Sequence, residues 1–263
     1  MQYQVPDGFD RMHENISYGQ ITEIEYNSTT TNTTRKCLIY TPPNYDPGTT
    51  YPVLYLLHGI GGTHTEWLGG APNEVLSNLI ASGEARPMIA VIPNVRAMQN
   101  DTVPSEILGP ANIEAFDNFI NDLRDNLMPM INKNYPVSTR REECAIAGLS
   151  MGGRESIFIG VKMPEVFGYI GAFSPAPGLM DVHMGRPGQL TKAEFTLPGE
   201  YADSTYILIC NGNQEEMFDK LAKSYHDAFV KNGLSPVYYT VEGGHDFRVW
   251  KNGLYHFAKK IFR

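Results

Sequence analysis

The sequence predicts a single α/β domain over residues 1–263, built on a mostly parallel sheet with helices on both faces. Three observations carry that expectation. Val53–Leu57 in "YPVLYLLHGIGG" is a continuous apolar run ending in a Gly-rich turn, as expected of a strand covered on both sides. Further runs of this kind alternate with stretches of helical period, the pattern of parallel strands joined by helical crossovers. The 263 residues, 42% hydrophobic and 19% charged, also hold enough apolar side chain for one large core, with no linker or repeat to divide it.

Taken in order, the chain is irregular around residues 6–8. "GQITEIEYNS" and "RKCLIYTPPNY" then read as the two strands of a hairpin around the polar "TTTNTT" loop. After the Val53–Leu57 strand come a helix over residues 73–82 and a strand over 88–92, closed by Pro93. "NIEAFDNFINDLRDNLMPMI" repeats apolar residues at Ile113, Phe116, Ile120, Leu123 and Leu127, which predicts one helix with Asn112 as its cap. "CAIAGL" is a buried strand, 153–162 a helix, and "YIGAF" the next strand. Strand "TYILIC", a helix through "FDKLAKSYHDAFVK" ending at Gly233, strand "VYYTVE" and a helix "LYHFAKKIF" complete the series. Two long irregular stretches, 94–111 and 174–203, follow the carboxyl ends of strands, where open α/β sheets bind ligands.

A net charge of −8 supplies no basic surplus to neutralise phosphates, so no nucleic-acid partner is expected. No run approaches the ~18 consecutive apolar residues of a membrane-spanning helix, and no membrane partner is expected either. The cysteines, Cys37, Cys144 and Cys210, lie in strand-like runs and read as buried thiols. Neither an H-E-x-x-H motif nor a Cys/His cluster appears, so neither a metal nor another cofactor is called for.

The candidate chemistry centres on Gly148-Leu149-Ser150-Met151-Gly152. G-x-S-x-G is a weak pattern alone. Here it joins a buried-strand run to a helical one, the strand-turn-helix setting in which a strained turn exposes a nucleophilic hydroxyl. A serine hydroxyl needs a base. His245, in the Gly-rich "VEGGHDFRVW" after the last strand, is best placed of seven histidines. His58 beside Gly59 and His226 on a helix read as structural, and His13, His64, His183 and His256 lack supporting context. The acid belongs in "NGNQEEMFD", where Glu215, Glu216 and Asp219 are the choices. "HGIGG" after the third strand, with the residue following the nucleophile, assigns the backbone N–H groups of Ile60 and Met151 as oxyanion donors. The order serine, acid, histidine is that of the α/β-hydrolase fold.

With "YPVLYLLHGIGGTHTEW", "VIPN", "AIAGLSMGG" and "GGHDFRVWKNGLYHF" assembled, the chain resembles the bacterial feruloyl esterases of carbohydrate esterase family 1, esterase-D-like α/β-hydrolases often attached to xylanases. The resemblance runs over nearly the whole chain. It implies Ser150 as nucleophile, His245 as base, and Ile60 and Met151 as oxyanion donors. Where the family has an aspartate, this chain has Gly212-Asn213-Gln214-Glu215, which puts Glu215 on the acid position with Glu216 as runner-up. The replaced aspartate would suit a non-catalytic carbohydrate-binding relative.

The implied function is hydrolysis of feruloyl esters on plant arabinoxylan through an acyl-enzyme. An acetyl xylan esterase, or another short-chain or aryl esterase or acyltransferase of the same fold, is the alternative. The implied partner is feruloylated or acetylated xylan, with xylanase modules fused to the chain or associated with it. Trp67 and Trp250 are candidates for lining a phenolic pocket, and the 174–203 stretch for setting acyl specificity. The opening "MQYQVPDGFD" lacks the basic and apolar regions of a signal peptide, which fits a cytoplasmic chain. The implied polymeric substrate instead favours a mature domain acting outside the cell.

Overall fold

Alternation along the strands sends side chains to two separate cores. In the central strand Val53–Leu57, Val53, Tyr55 and Leu57 join one apolar cluster, while Leu54 and Leu56 join the other on the opposite face. All five are buried, which explains a run without polar alternation. The computed structural model describes residues 3–180 and 186–263; the side chains of Glu216, Met217 and Asp219 also lie outside the described residues, as does His183.

The strands are β1 (Gln20–Ser28), β2 (Thr33–Thr41), β3 (Val53–Leu57), β4 (Ile89–Pro93), β5 (Cys144–Leu149), β6 (Tyr169–Phe173), β7 (Tyr206–Gly212) and β8 (Val237–Val241). They form one eight-stranded sheet in the order β1-β2-β4-β3-β5-β6-β7-β8. β1 and β2 pair antiparallel, as do β2 and β4, and every other pairing is parallel. The helices are α1 (Pro72–Ala81), α2 (Pro110–Asp117), α3 (Phe119–Asp122), α4 (Met128–Asn134), α5 (Met151–Lys162), α6 (Gly199–Ala202), α7 (Glu216–Lys231) and α8 (Phe247–Ala258). Apolar residues of α1 and α8 enter one core, and those of α2–α5 and α7 enter the other, so both faces are covered.

The chain passes from β3 outward to β4, then returns to place β5 on the other side of β3. That reversal opens a crevice at the carboxyl ends of β3 and β5, the place where such sheets bind ligands. The three cysteines are buried and unpaired. Among the described residues no helix is long and apolar enough to cross a membrane.

Two helix expectations change. The single helix predicted from Asn112 is broken into α2, α3 and α4, with a π turn at Leu123–Leu127. Pro129 lacks an N–H; the wider turn lets the helix restart with Pro129 in its first turn, where none is needed. The last helix begins at Phe247, seven residues before its predicted start at Leu254, and residues 259–262 are turns. Asp246 caps it, its Oδ1 accepting from Arg248 N–H at 2.8 Å. Gly253, which obscures the helical pattern, is required because a Cβ there would meet the Phe173 ring at 2.5 Å.

Candidate active site

β5 delivers the chain into a turn where Ser150 takes φ 52° and ψ −116° before α5 begins. A positive φ is strained for any residue with a Cβ and persists only where surroundings enforce it. Here Ser150 N–H donates to Phe173 O at 2.9 Å, and Ser150 O accepts from the N–H groups of Arg154 and Ala176, both at 3.0 Å. The flanking glycines make the turn sterically possible. A Cβ on Gly152 would sit 2.6 Å from His58 O and closer still to Leu57 O, and one on Gly148 would press into the backbone of Gly152.

His245 arrives from the loop after β8. Its Nε2 lies 2.9 Å from Ser150 Oγ, and its Nδ1 lies 2.8 Å from Glu215 Oε2. The other oxygen of Glu215 accepts from Gly212 N–H and from Ser174 O–H, each at 2.7 Å. Glu215 is 4% exposed, so its charge is met by hydrogen bonds rather than water. The turn carrying it is tied to the His245 loop by Asn213 N–H to Val241 O at 2.8 Å and Gln214 N–H to Gly243 O at 3.0 Å. The Phe218 ring stacks on the imidazole at 4.1 Å, and Trp250 meets it edge-on at 5.1 Å. Glu215 therefore occupies the position the sequence left shared with Glu216, whose side chain lies outside the described residues.

Ile60 and Met151 face the same cavity as Ser150. The "HGIGG" loop is held by groups the sequence reading missed. Arg96, buried three residues beyond β4, donates to Ile60 O at 2.8 Å and Gly62 O at 3.2 Å, while Glu66 accepts from Gly59 N–H at 2.6 Å. Burial pushes the Glu66 carboxyl up from its usual range, against the pull of that N–H.

The cavity holds about 760 Å³. Its apolar wall includes Ile60, Leu108, Ile113, Met151 and Phe218, and its polar wall has Asp117, Arg154, Arg186 and Gln189. Arg154 Nη2 reaches Asp117 at 2.5 Å, Gln189 reaches the same oxygen at 3.0 Å, and Arg186 Nη2 reaches the other at 3.4 Å. Arg186 and Gln189 come from the 174–203 stretch flagged for specificity; Asp117, at the end of α2, carried no local signal. Beneath them Glu155 is fully buried, and desolvation pushes its carboxyl up to about 8 despite Arg154 at 3.2 Å.

The tryptophans correct an expectation. Neither is on the cavity wall. Trp67 is fully buried with its indole N–H donating to Leu57 O at 2.9 Å, and Trp250 is 8% exposed, packed against His245 and Phe247. Among the remaining histidines, His226 pairs with Asp227 and His64 with Glu23. Among the described residues no group of three His, Cys, Asp or Glu could hold a metal ion.

Comparison with known proteins adds to this geometry. Residues 28–261 match the family model described as putative esterase. An endo-1,4-beta-xylanase/feruloyl esterase of Xylanibacter ruminicola is 30% identical over 268 residues, which is 97% of this chain and 33% of that protein; the chain thus spans a third of its relative's length. An iron(III) salmochelin esterase of Escherichia coli is 25% identical over 58% of this chain and 41% of its own. The solved CE1 ferulic acid esterase of Anaeromyces mucronatus, in complex with ferulic acid, superposes with a TM-score of 0.92 at 32% identity, covering 99% of this chain and 97% of that one.

Proposed function

The chain belongs to the putative-esterase family and to its CE1 ferulic acid esterases, and on that premise we propose that it hydrolyses feruloyl esters of plant arabinoxylan with Ser150 as nucleophile. One observation carries this reading: the unbroken line from Ser150 Oγ through His245 to Glu215, opening on a cavity of about 760 Å³. His245 Nε2 takes the serine proton as Oγ attacks the ester carbonyl carbon. The N–H groups of Ile60 and Met151 receive the developing oxyanion. The tetrahedral intermediate collapses, the C–O bond to the sugar breaks, and His245 returns its proton to the leaving oxygen. Water then repeats the sequence on the acyl-enzyme and releases the acid. Glu215 holds the Nδ1 proton in place and stabilises the imidazolium. Its reach to His245 supports a catalytic rather than a merely carbohydrate-binding role.

A cavity with an apolar wall beside the polar groups of Asp117, Arg154, Arg186 and Gln189 suits a ring that bears a hydroxyl, and its volume is that of a small-molecule site rather than an acetyl slot. The Xylanibacter ruminicola relative, of which the chain matches a third, supports xylan as the polymer and a xylanase module as neighbour, and with them action outside the cell. Rates on methyl ferulate, acetylated xylan and p-nitrophenyl acetate test the proposal. Methyl ferulate should lead in kcat/KM by about tenfold or more, and Ser150→Ala should remove on the order of 10⁴-fold or more of kcat on every ester. Hydrolysis of acetyl esters without hydroxycinnamates would discard the acyl assignment; an active Ser150→Ala would discard the mechanism.

A further inference from the structure

A trans peptide carries its C=O and N–H antiparallel in one plane, so anchoring the carbonyl also fixes the direction of the N–H. The N–H of Ile60 shares its plane with the carbonyl of Gly59. Arg96 and Glu66 brace neighbouring peptides of the loop, through Ile60 O, Gly62 O and Gly59 N–H, but not this one. Gly59 O instead accepts from Gly62 N–H at 3.0 Å, which closes the turn, and lies 2.7 Å from Nδ1 of the fully buried His58.

The other face of that imidazole fixes its tautomer. Val95 N–H points at Nε2 from 2.8 Å, and Asn94 Oδ1 lies 3.0 Å from the same atom. A proton on Nδ1 satisfies Gly59 O and Val95 N–H. A proton on Nε2 would satisfy Asn94 alone and set two donors against each other, so the neutral Nδ1–H form is the one the contacts select. Burial pushes the ring down to about 3, with Arg96 and Arg35 adding to the effect, which keeps it neutral at any working pH. The ring's edge-on contact with Phe116 at 5.5 Å closes the remaining side.

We infer that His58 is a positioning residue for the oxyanion site: its Nδ1–H, the tautomer that Val95 N–H selects, holds the Gly59 carbonyl so that Ile60 N–H points away from the imidazole, toward the cavity it shares with Ser150. The inference rests on Ile60 N–H being an oxyanion donor. Asparagine places an amide N–H where Nδ1 is, and glutamine places one where Nε2 is. H58N should therefore retain kcat within about fivefold, while H58Q should lose about 30- to 100-fold with KM within about threefold, somewhat less than the loss of a whole donor. Affinity for an aryl trifluoromethyl ketone, which forms an oxyanion on the serine, should fall with kcat, and the pH–rate profile should keep its wild-type shape. H58Q with wild-type kcat and ketone affinity, or equal losses in H58N and H58Q at equal Tm, would overturn the inference while leaving the esterase reading intact. Should H58Q not fold, H58N decides: retention of kcat supports the role, and a folded H58N slowed more than tenfold overturns it. Wild-type protein that neither binds the ketone nor turns over any ester would overturn both readings.

Discussion

Replacing Glu215 by glutamine removes one charge, keeps the shape, and has an outcome that the hydrogen bonds dictate. Oε1 of Glu215 receives two donors, Gly212 N–H and Ser174 O–H, in a buried setting. The amide nitrogen of a glutamine cannot take that place without facing the fixed Gly212 N–H, a mismatch of roughly 1–3 kcal/mol. The amide oxygen therefore occupies it, and the NH₂ group is turned toward His245 Nδ1, which now sits 2.8 Å from a carboxylate. Nδ1 must then accept, the imidazole proton moves to Nε2, and Nε2 has no lone pair for the Ser150 proton. The base is intact but in the wrong tautomer. Such an error lowers kcat by about 10³- to 10⁴-fold, or about 4–5 kcal/mol of transition-state stabilisation. Saturation kinetics of Glu215→Gln on methyl ferulate and p-nitrophenyl acetate should show that loss in kcat with KM little changed, and Glu216→Gln should stay within about twofold of wild type. A Glu215→Gln enzyme within tenfold of wild type, or a comparable loss only at 216, would refute the tautomer argument and the assignment of the acid together.

Gly152→Ala should lower stability by about 1–3 kcal/mol, a Tm roughly 2–12 °C lower for a domain of this size, because its Cβ meets the carbonyls of Leu57 and His58; an unchanged Tm would show that the β3–α5 contact is looser than described. Glu155, pushed by burial to about 8 from an ordinary 4.5, should make stability pH-dependent. The folded state holds a proton that the unfolded chain has lost, so the stabilisation is complete below about pH 4.5 and disappears as pH rises through about 8. Thermal melts should show wild type losing more Tm than Glu155→Gln between pH 5 and 8, and parallel curves would remove the buried carboxyl from that account.

The sheet and the meeting of Ser150 with His245 are legible in the sequence because each depends on local signals. Val53–Leu57 and Cys144–Leu149 announce buried strands, and the chain order of serine, acid and histidine follows from where successive strands deliver their loops. Glu215 is readable only to within one residue, since its choice over Glu216 turns on which side chain faces the Gly212 N–H. The supports of the loop that carries Ile60 are not readable at all. Arg96 joins Ile60 across 36 positions and His58 joins Val95 across 37, and neither residue type signals such a bond in advance. Trp67 and Trp250 mislead because an aromatic ring suits a ligand wall and a core equally; the Leu57 carbonyl, available to the Trp67 indole N–H, decides for the core. The π turn before Pro129 escapes a periodicity argument for the same kind of reason, as buried Asp122 and Asn126 there answer to Tyr26, Arg35 and Thr29 on the hairpin.

That hairpin changes what counts as dispensable. β1 and β2 sit at the antiparallel margin of the sheet and contribute nothing to the wall of the cavity beside Ser150. Yet Arg35 on β2, wholly buried against Asp122, donates to the carbonyls of Asn94 and Arg96 at 2.5 and 2.9 Å. The backbone on either side of Val95 is thus stapled from the margin inward, and the arginine that steadies the Ile60 loop is itself steadied by a strand outside the parallel sheet. A minimal hydrolase trimmed to its parallel strands would keep every reacting group and lose the rigidity that aligns them, so protein engineers seeking a smaller catalyst should cut elsewhere.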